Sequence, residues 1–261
     1  MQSIYSPEVP VLLVGAPGVG KTASVRAHFD YAEVLLTSTL VEEDIAGLPY
    51  REGEYDYRTT SAVFRRLHDA ANAGKSTVLF LDELDKARRA VADTLLTLVA
   101  SRQVGAAELP STTCIVAAAN PPEFGGGDGI SDAMLSRFSV VEYVPNPAKW
   151  ADLADASFGP EVHRITEAAR TGEMPIFDMV GEGFSKRITT PRTLDKALSA
   201  IVRCGAESEE AEMIVRGLLT PGTATQMLHF ARQLDNDVMH VATQSARKGI
   251  SGNSKHTPVR L

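Results

Sequence analysis

The 261-residue sequence predicts an α/β fold, with a parallel sheet flanked by helices and followed by a small all-α domain. Three observations predict it. Five apolar segments with strand character alternate with helical stretches through residues 1–145. The run Gly15-Ala16-Pro17-Gly18-Val19-Gly20-Lys21-Thr22 fits the pattern G-x-x-x-x-G-K-[ST] and stands between a strand and a helix. After Pro145-Asn146-Pro147 the strand signal stops and only helical segments follow.

The elements follow in order. Val9-Pro10-Val11-Leu12-Leu13-Val14 is a continuous apolar run, as expected of a strand covered on both faces. Residues 23–29 read as the helix after the glycine loop. Further strands are expected at 33–37, 76–81, 113–119 and 138–144, with helices at 61–73 and 86–101 between them. Asp85 and Lys86 are expected to begin and cap the second of these helices. Residues 47–60, with Tyr50, Tyr55 and Tyr57, look like a hairpin, and 102–112 look like a second, turning near Gly105. Gly125-Gly126-Gly127-Asp128-Gly129 is a loop rather than a second phosphate loop, because no Lys-Ser/Thr pair follows. Helices are then expected over 148–156, 160–171, 191–204, 206–219 and 223–240, with Pro221-Gly222 separating the last two. The expected organisation is a core over 1–145, a helical domain over 146–243 and a disordered tail over 244–261. That tail carries Arg247, Lys248, Lys255 and Arg260 and no acid. It reads as a solvated terminus or as a docking segment.

Composition narrows the function. A net charge of −7 argues against a broad nucleic-acid-binding face, though not against a local basic patch. Two cysteines, Cys114 and Cys204, provide neither a disulfide framework nor zinc spacing, and Cys114 lies in an apolar run expected to be core. The six histidines are scattered without ligand spacing. No basic-apolar leader stands at the start and no apolar run is long enough to span a bilayer, so an intracellular, cytoplasmic protein is expected.

The chemistry concentrates in two places. The glycines let the backbone wrap a triphosphate, while the loop N–H groups and the helix N-terminus point at the anion. Gly15, Pro17, Gly18, Val19, Gly20, Lys21, Thr22 and Ala23 are therefore the expected ATP-binding residues, with Lys21 on the β- and γ-phosphates and Thr22 on Mg²⁺. A ligand-free glycine turn would explain the glycines but not the Lys21-Thr22 pair. The second place is Val78-Leu79-Phe80-Leu81-Asp82-Glu83, an apolar strand ending in two acids at the edge where open α/β sheets bind ligands. Asp82 suits Mg²⁺, and Glu83 suits the orientation or deprotonation of an attacking water.

Together with three later elements, these runs resemble an AAA+ ATPase. Ile115-Val116-Ala117-Ala118-Ala119-Asn120-Pro121 is similar to the sensor 1 strand, which implies that Asn120 helps hold the water. Asp132-Ala133-Met134-Leu135-Ser136-Arg137-Phe138 resembles the arginine-finger segment, which implies that Arg137 acts on a neighbour's ATP. Thr190-Pro191-Arg192-Thr193 resembles the sensor 2 helix start, which implies that Arg192 reaches the γ-phosphate from the lid; Arg187 is the alternative. Within the family the chain is most similar to the MoxR group. That likeness rests on Glu43-Asp44-Ile45-Ala46-Gly47, the run Leu81-Asp82-Glu83-Leu84-Asp85-Lys86-Ala87, and Ala119-Asn120-Pro121 followed by a glycine-rich loop and Ser136-Arg137-Phe138. Asp85-Lys86 stands where that group usually has Asn-Arg, and Ser136 where it usually has an acid. The resemblance covers roughly residues 9 to 205, and more loosely those to about 240.

The resemblance implies a ring-forming, Mg²⁺-dependent ATPase, most simply a hexamer, that remodels or activates a protein partner. In the MoxR group that partner is often a von Willebrand A domain protein. The two hairpins would face the central channel or the substrate side of the ring, or else pack on the domain surface. A nucleic-acid machine of helicase, clamp-loader or replication-initiator type is the rival reading, and the acidic balance counts against it. A P-loop kinase acting on a small molecule is a third. The asparagine-ended strand and the two distal arginines count against that one.

Overall fold

The computed structural model describes residues 4–124, 130–183 and 186–233. Both the Gly125–Gly129 loop and the 244–261 tail lie outside them. The chain divides into two compact units between Val144 and Pro145.

In the first unit the elements in chain order are β1 (Val11–Val14), α1 (Lys21–His28), β2 (Tyr31–Leu36), α2 (Glu42–Ala46), β3 (Pro49–Glu52), β4 (Tyr55–Arg58), α3 (Ala62–Asn72), β5 (Thr77–Asp82), α4 (Arg89–Ser101), β6 (Gln103–Val104), β7 (Ala107–Glu108), β8 (Cys114–Ala119), α5 (Asp132–Leu135) and β9 (Ser139–Glu142). Five strands form one sheet in the order β2-β5-β8-β1-β9, with every neighbouring pair parallel. All five are the strands expected from the sequence, their ends differing by at most two residues.

The central strands read as unbroken apolar runs because both faces are covered. Successive side chains alternate between two cores. Leu79, Leu81, Ile115 and Leu12 enter one core, with Phe64 and Leu67 of α3 and Leu95 and Leu98 of α4. Val78, Phe80, Val116 and Leu13 enter the other, with Val25 of α1. Each of these large side chains is withdrawn almost completely from water, which stabilises the fold by about 1.5–3 kcal/mol per residue. Cys114 is part of this core, and burial pushes its thiol above the usual range, as suits an inert core residue. The Leu12↔Ala117 and Val14↔Ala119 register brings the ends of β1 and β8 level, and Gly15 N–H donates to the Ala119 carbonyl at 3.2 Å.

Both expected hairpins are present. Tyr50 and Tyr57 are opposite each other on β3 and β4 and stack with centroids 5.5 Å apart. The second hairpin turns at Gly105, whose φ is 57°. Its base is pinned by Arg102, whose guanidinium donates to the carbonyls of Pro7, Pro110 and Thr113 at 2.7–2.8 Å.

The second unit holds α6 (Pro147–Phe158), α7 (His163–Thr171), β10 (Asp178–Val180), β11 (Arg187–Thr189), α8 (Pro191–Cys204), α9 (Glu209–Leu218) and a last helix, α10, over 221–233. Its core gathers Trp150, Ile165, Leu194, Leu198, Val215 and Met227. Among the described residues the unit's regular structure is helical except for the antiparallel β10–β11 pair, which the sequence reading does not contain. Strands of three residues are too short to carry a period-two pattern. What holds this hairpin is side-chain chemistry: Thr220 donates its N–H to Thr189 Oγ1 at 3.0 Å and its hydroxyl to Asp178 Oδ2 at 2.6 Å. Pro221 opens α10 rather than only separating it, at a helix position where the missing N–H has no partner to lose. Residues 234–240 of the expected last helix lie outside the described residues.

Among the described residues, no helix is long and apolar enough to cross a membrane, and no group of His, Cys, Asp or Glu is placed to hold a metal by itself.

Candidate functional site

The C-terminal ends of β1, β8 and β5 lie side by side and lead into the residues that the sequence singles out. The chain leaves β1 through the glycine loop and enters α1 at Lys21. Gly18 and Gly20 have φ of 82° and 102°, a region open to glycine without the Cβ penalty. Gly15 serves differently: a Cβ there would lie 2.5 Å from the Tyr143 carbonyl oxygen. Tyr143 also holds the loop from behind, its N–H donating to the Val14 carbonyl at 2.7 Å and its hydroxyl lying 3.5 Å from the Gly20 carbonyl. The first N–H groups of α1, on Lys21, Thr22 and Ala23, have no acceptor within the helix and carry its positive end.

Lys21 is buried, and its ammonium donates to the Gly15 carbonyl at 2.6 Å, the Ala16 carbonyl at 3.0 Å and Asn120 Oδ1 at 3.0 Å. Thr22 donates its hydroxyl to Asp82 Oδ2 at 2.8 Å. A hydroxyl beside a carboxylate at the mouth of a phosphate loop is the hard-oxygen donor set that Mg²⁺ takes, with substrate phosphates and water completing the shell. These residues therefore fit both ATP and the ion.

Glu83 follows Asp82 in a left-handed conformation, φ 56° and ψ 42°, uncommon for a residue with a side chain. Both of its carboxylate oxygens are engaged. Ser38 donates to Oε2 at 3.0 Å, and the Lys86 ammonium lies 3.2 Å from Oε1. Thr37 donates to the Glu83 carbonyl at 2.7 Å. Ser38, Thr37 and Tyr143 carry no motif that sequence reasoning could use; only the strand register brings them here.

Asp85 and Lys86 correct the sequence reading. They do not begin α4, whose N-cap is Arg88. They form a short 3-10 turn over Leu84–Lys86, in which Asp85 is buried and accepts the Asn120 N–H at 3.1 Å.

The two distal arginines belong to other elements. Arg137 follows α5 and is exposed, and among the described residues its guanidinium donates to the nearby Ala133 carbonyl and Ser136 hydroxyl. Arg192 is the second residue of α8 in the other unit and is exposed. Its helix start is well built: Thr190 and Thr193 cap it reciprocally and Pro191 takes the first position. The alternative, Arg187, lies exposed on β11.

Residues 10–138 match the family described as AAA domain (dynein-related subfamily). No curated protein sequence matches the chain. Similar solved structures include RuvB, the Holliday junction branch migration motor of Thermotoga maritima, at 17% identity and a TM-score of 0.46, with 85% of this chain and 61% of that one covered. NtrX from Brucella abortus is another, at 15% identity and a TM-score of 0.43, with 82% of this chain and 51% of that one covered. The chain thus spans less than two thirds of the length of the structures it matches. With the five-stranded parallel sheet, the glycine loop and the acidic strand end on one edge, residues 10–138 of this chain match the AAA domain family and have its AAA+ P-loop NTPase fold.

Proposed function

We propose that the chain works as a Mg²⁺-dependent ATP-hydrolysing subunit of a MoxR-like ring, with the energy of hydrolysis used to remodel a protein partner. The observation that carries the reading is the convergence of Lys21 with Asn120, and of Thr22 with Asp82, at the ends of three adjacent parallel strands. Cations and donors that meet at one strand edge are what phosphoryl transfer asks of a protein, since the reaction is mostly positioning and charge stabilisation.

In this reading the loop amides and Lys21 bind the β- and γ-phosphates. Thr22 and Asp82 hold Mg²⁺, which when bound neutralises charge on the phosphate oxygens. Asn120 orients the attacking water and Glu83 takes its proton. Glu83 must first release Ser38 or Lys86, so these two contacts restrain the base until the site is assembled. Arg137, exposed and bonded among the described residues to its own turn, is suited to reach the γ-phosphate of a neighbouring subunit, and Arg192 to approach it from the helical lid. The exposed tyrosine hairpin borders an open recess of about 860 Å³ shared with Gly105 and Ala106 of the second hairpin, and would meet the client. A von Willebrand A domain protein is the client class this reading names.

The test is complementation. Arg137→Ala should bind ATP nearly as wild type yet lose hydrolysis by about 10³-fold or more. Mixing it with Lys21→Ala subunits should restore part of the activity, because each supplies what the other lacks. A specific activity independent of concentration, with a monomer in sedimentation in the presence of an ATP analogue, would overturn the ring.

A further inference from the structure

Asp85 has no task in the site as described so far, yet it is buried at 5% exposure behind the β5 and β8 strand ends. Its Oδ1 accepts the Asn120 N–H at 3.1 Å. Its Oδ2 is enclosed without a hydrogen-bond partner, the one such buried side-chain atom among the described residues. Burying a carboxylate oxygen without a donor is unfavourable, so packing alone does not explain an acid here.

What the acid does is visible in its connections. The left-handed turn at Glu83 sends the chain back beneath β8 and delivers Asp85 to the residue that ends that strand. Two anchors then fix Asn120: Asp85 on its backbone and Lys21 on its side chain. An ammonium has only donors, so Asn120 must turn its oxygen to Lys21, which leaves the amide nitrogen on the other side as a donor. Among the described residues that nitrogen has no acceptor.

We propose that Asp85 is a positioning residue for ATP hydrolysis, clamping the main chain of Asn120 so that the amide stays aligned beside the Lys21 ammonium. The inference rests on the reading that Asn120 orients the attacking water. Asp85 touches neither nucleotide nor water in it and acts only through Asn120.

The experiment is steady-state hydrolysis and calorimetric Mg·ATP binding on the full chain carrying Asp85→Ala, Asp85→Ser, Asp85→Asn, Asn120→Ala and the Asp85→Ala/Asn120→Ala pair. Asp85→Ala and Asp85→Ser, which lose the acceptor, should lower kcat about 10- to 100-fold with ATP affinity within about threefold of wild type. Asp85→Asn keeps the acceptor and should keep kcat within about threefold. The double variant should be no slower than Asn120→Ala alone, because both remove one alignment. Wild-type kcat in the Ala and Ser variants overturns the inference. So do additive losses in the double variant, an Asn variant as slow as the Ala one, or ATP affinity lost in step with kcat. Wild-type kcat in Asn120→Ala overturns the underlying site reading instead, which separates the two failures.

Discussion

Two turns leave the same edge of the sheet on either side of β8, and each contains left-handed backbone. In the turn after β1, glycines carry it, at Gly18 and Gly20. In the turn after β5 a glutamate carries it, at Glu83. In the proposed site the first turn needs room, because phosphate would approach bare backbone, and glycine supplies room and conformation together. The second needs a particular side chain at that spot, so the conformation is held in spite of the residue. Thr37 and Ser38 hold it from one side, and the hydrogen bond of Lys86 N–H to the Glu83 carbonyl closes the turn. Among the described residues Glu83 shares positive φ with one other non-glycine residue, Arg102, and of the two it is Glu83 that follows Asp82, the partner of Thr22.

The comparison is broken first at Lys21. Lys21→Ala removes the cation that the first turn delivers and should weaken ATP binding by about 100-fold, equivalent to about 3 kcal/mol, in calorimetry. Equal affinity in variant and wild type would mean that the glycine turn binds without it. Next comes the room itself. Gly15→Ala places a methyl against the Tyr143 backbone, which cannot swing aside as a side chain would. Its unfolding free energy in urea should fall by about 1–3 kcal/mol, and an unchanged value would show that the loop is looser than its contacts imply. The smallest effect sharpens the other side of the comparison. If Glu83 is left-handed in solution, Glu83→Gly should be more stable than Glu83→Ala by about 1 kcal/mol, because only the alanine keeps the Cβ penalty. Equal stabilities would place that residue elsewhere on the backbone map.

Much of this fold was legible because the central strands are buried on both faces, and a run such as Val78–Leu81 has few alternatives once a helix follows each strand. The candidate nucleotide residues stand out in the sequence for a different reason: phosphate chemistry restricts residue types at fixed spacing, as in Gly20-Lys21-Thr22. Asp85 and Lys86 misled for a physical reason. An acid followed by a lysine after a strand looks like a helix start, and nothing local signals that Glu83 reverses the chain and turns Asp85 inward. Tyr143 and Ser38 reach the site through strand order, which no short window contains. The β10–β11 hairpin depends on threonine hydroxyls more than thirty residues apart in sequence, Thr189 and Thr220. The roles expected of Arg137 and Arg192 rest on the resemblance, since each is an exposed arginine in its own unit.

The central claim is that the two turns form one hydrolytic centre, the first binding the nucleotide and the second cutting it. A single-turnover assay tests it most directly: protein in excess over Mg·ATP, quenched and resolved into ATP and ADP, for wild type and Glu83→Gln. The account predicts ADP from wild type and intact, tightly bound ATP in the variant, with its hydrolysis slowed about 10²- to 10⁴-fold. ADP formed at the same rate by both would contradict it.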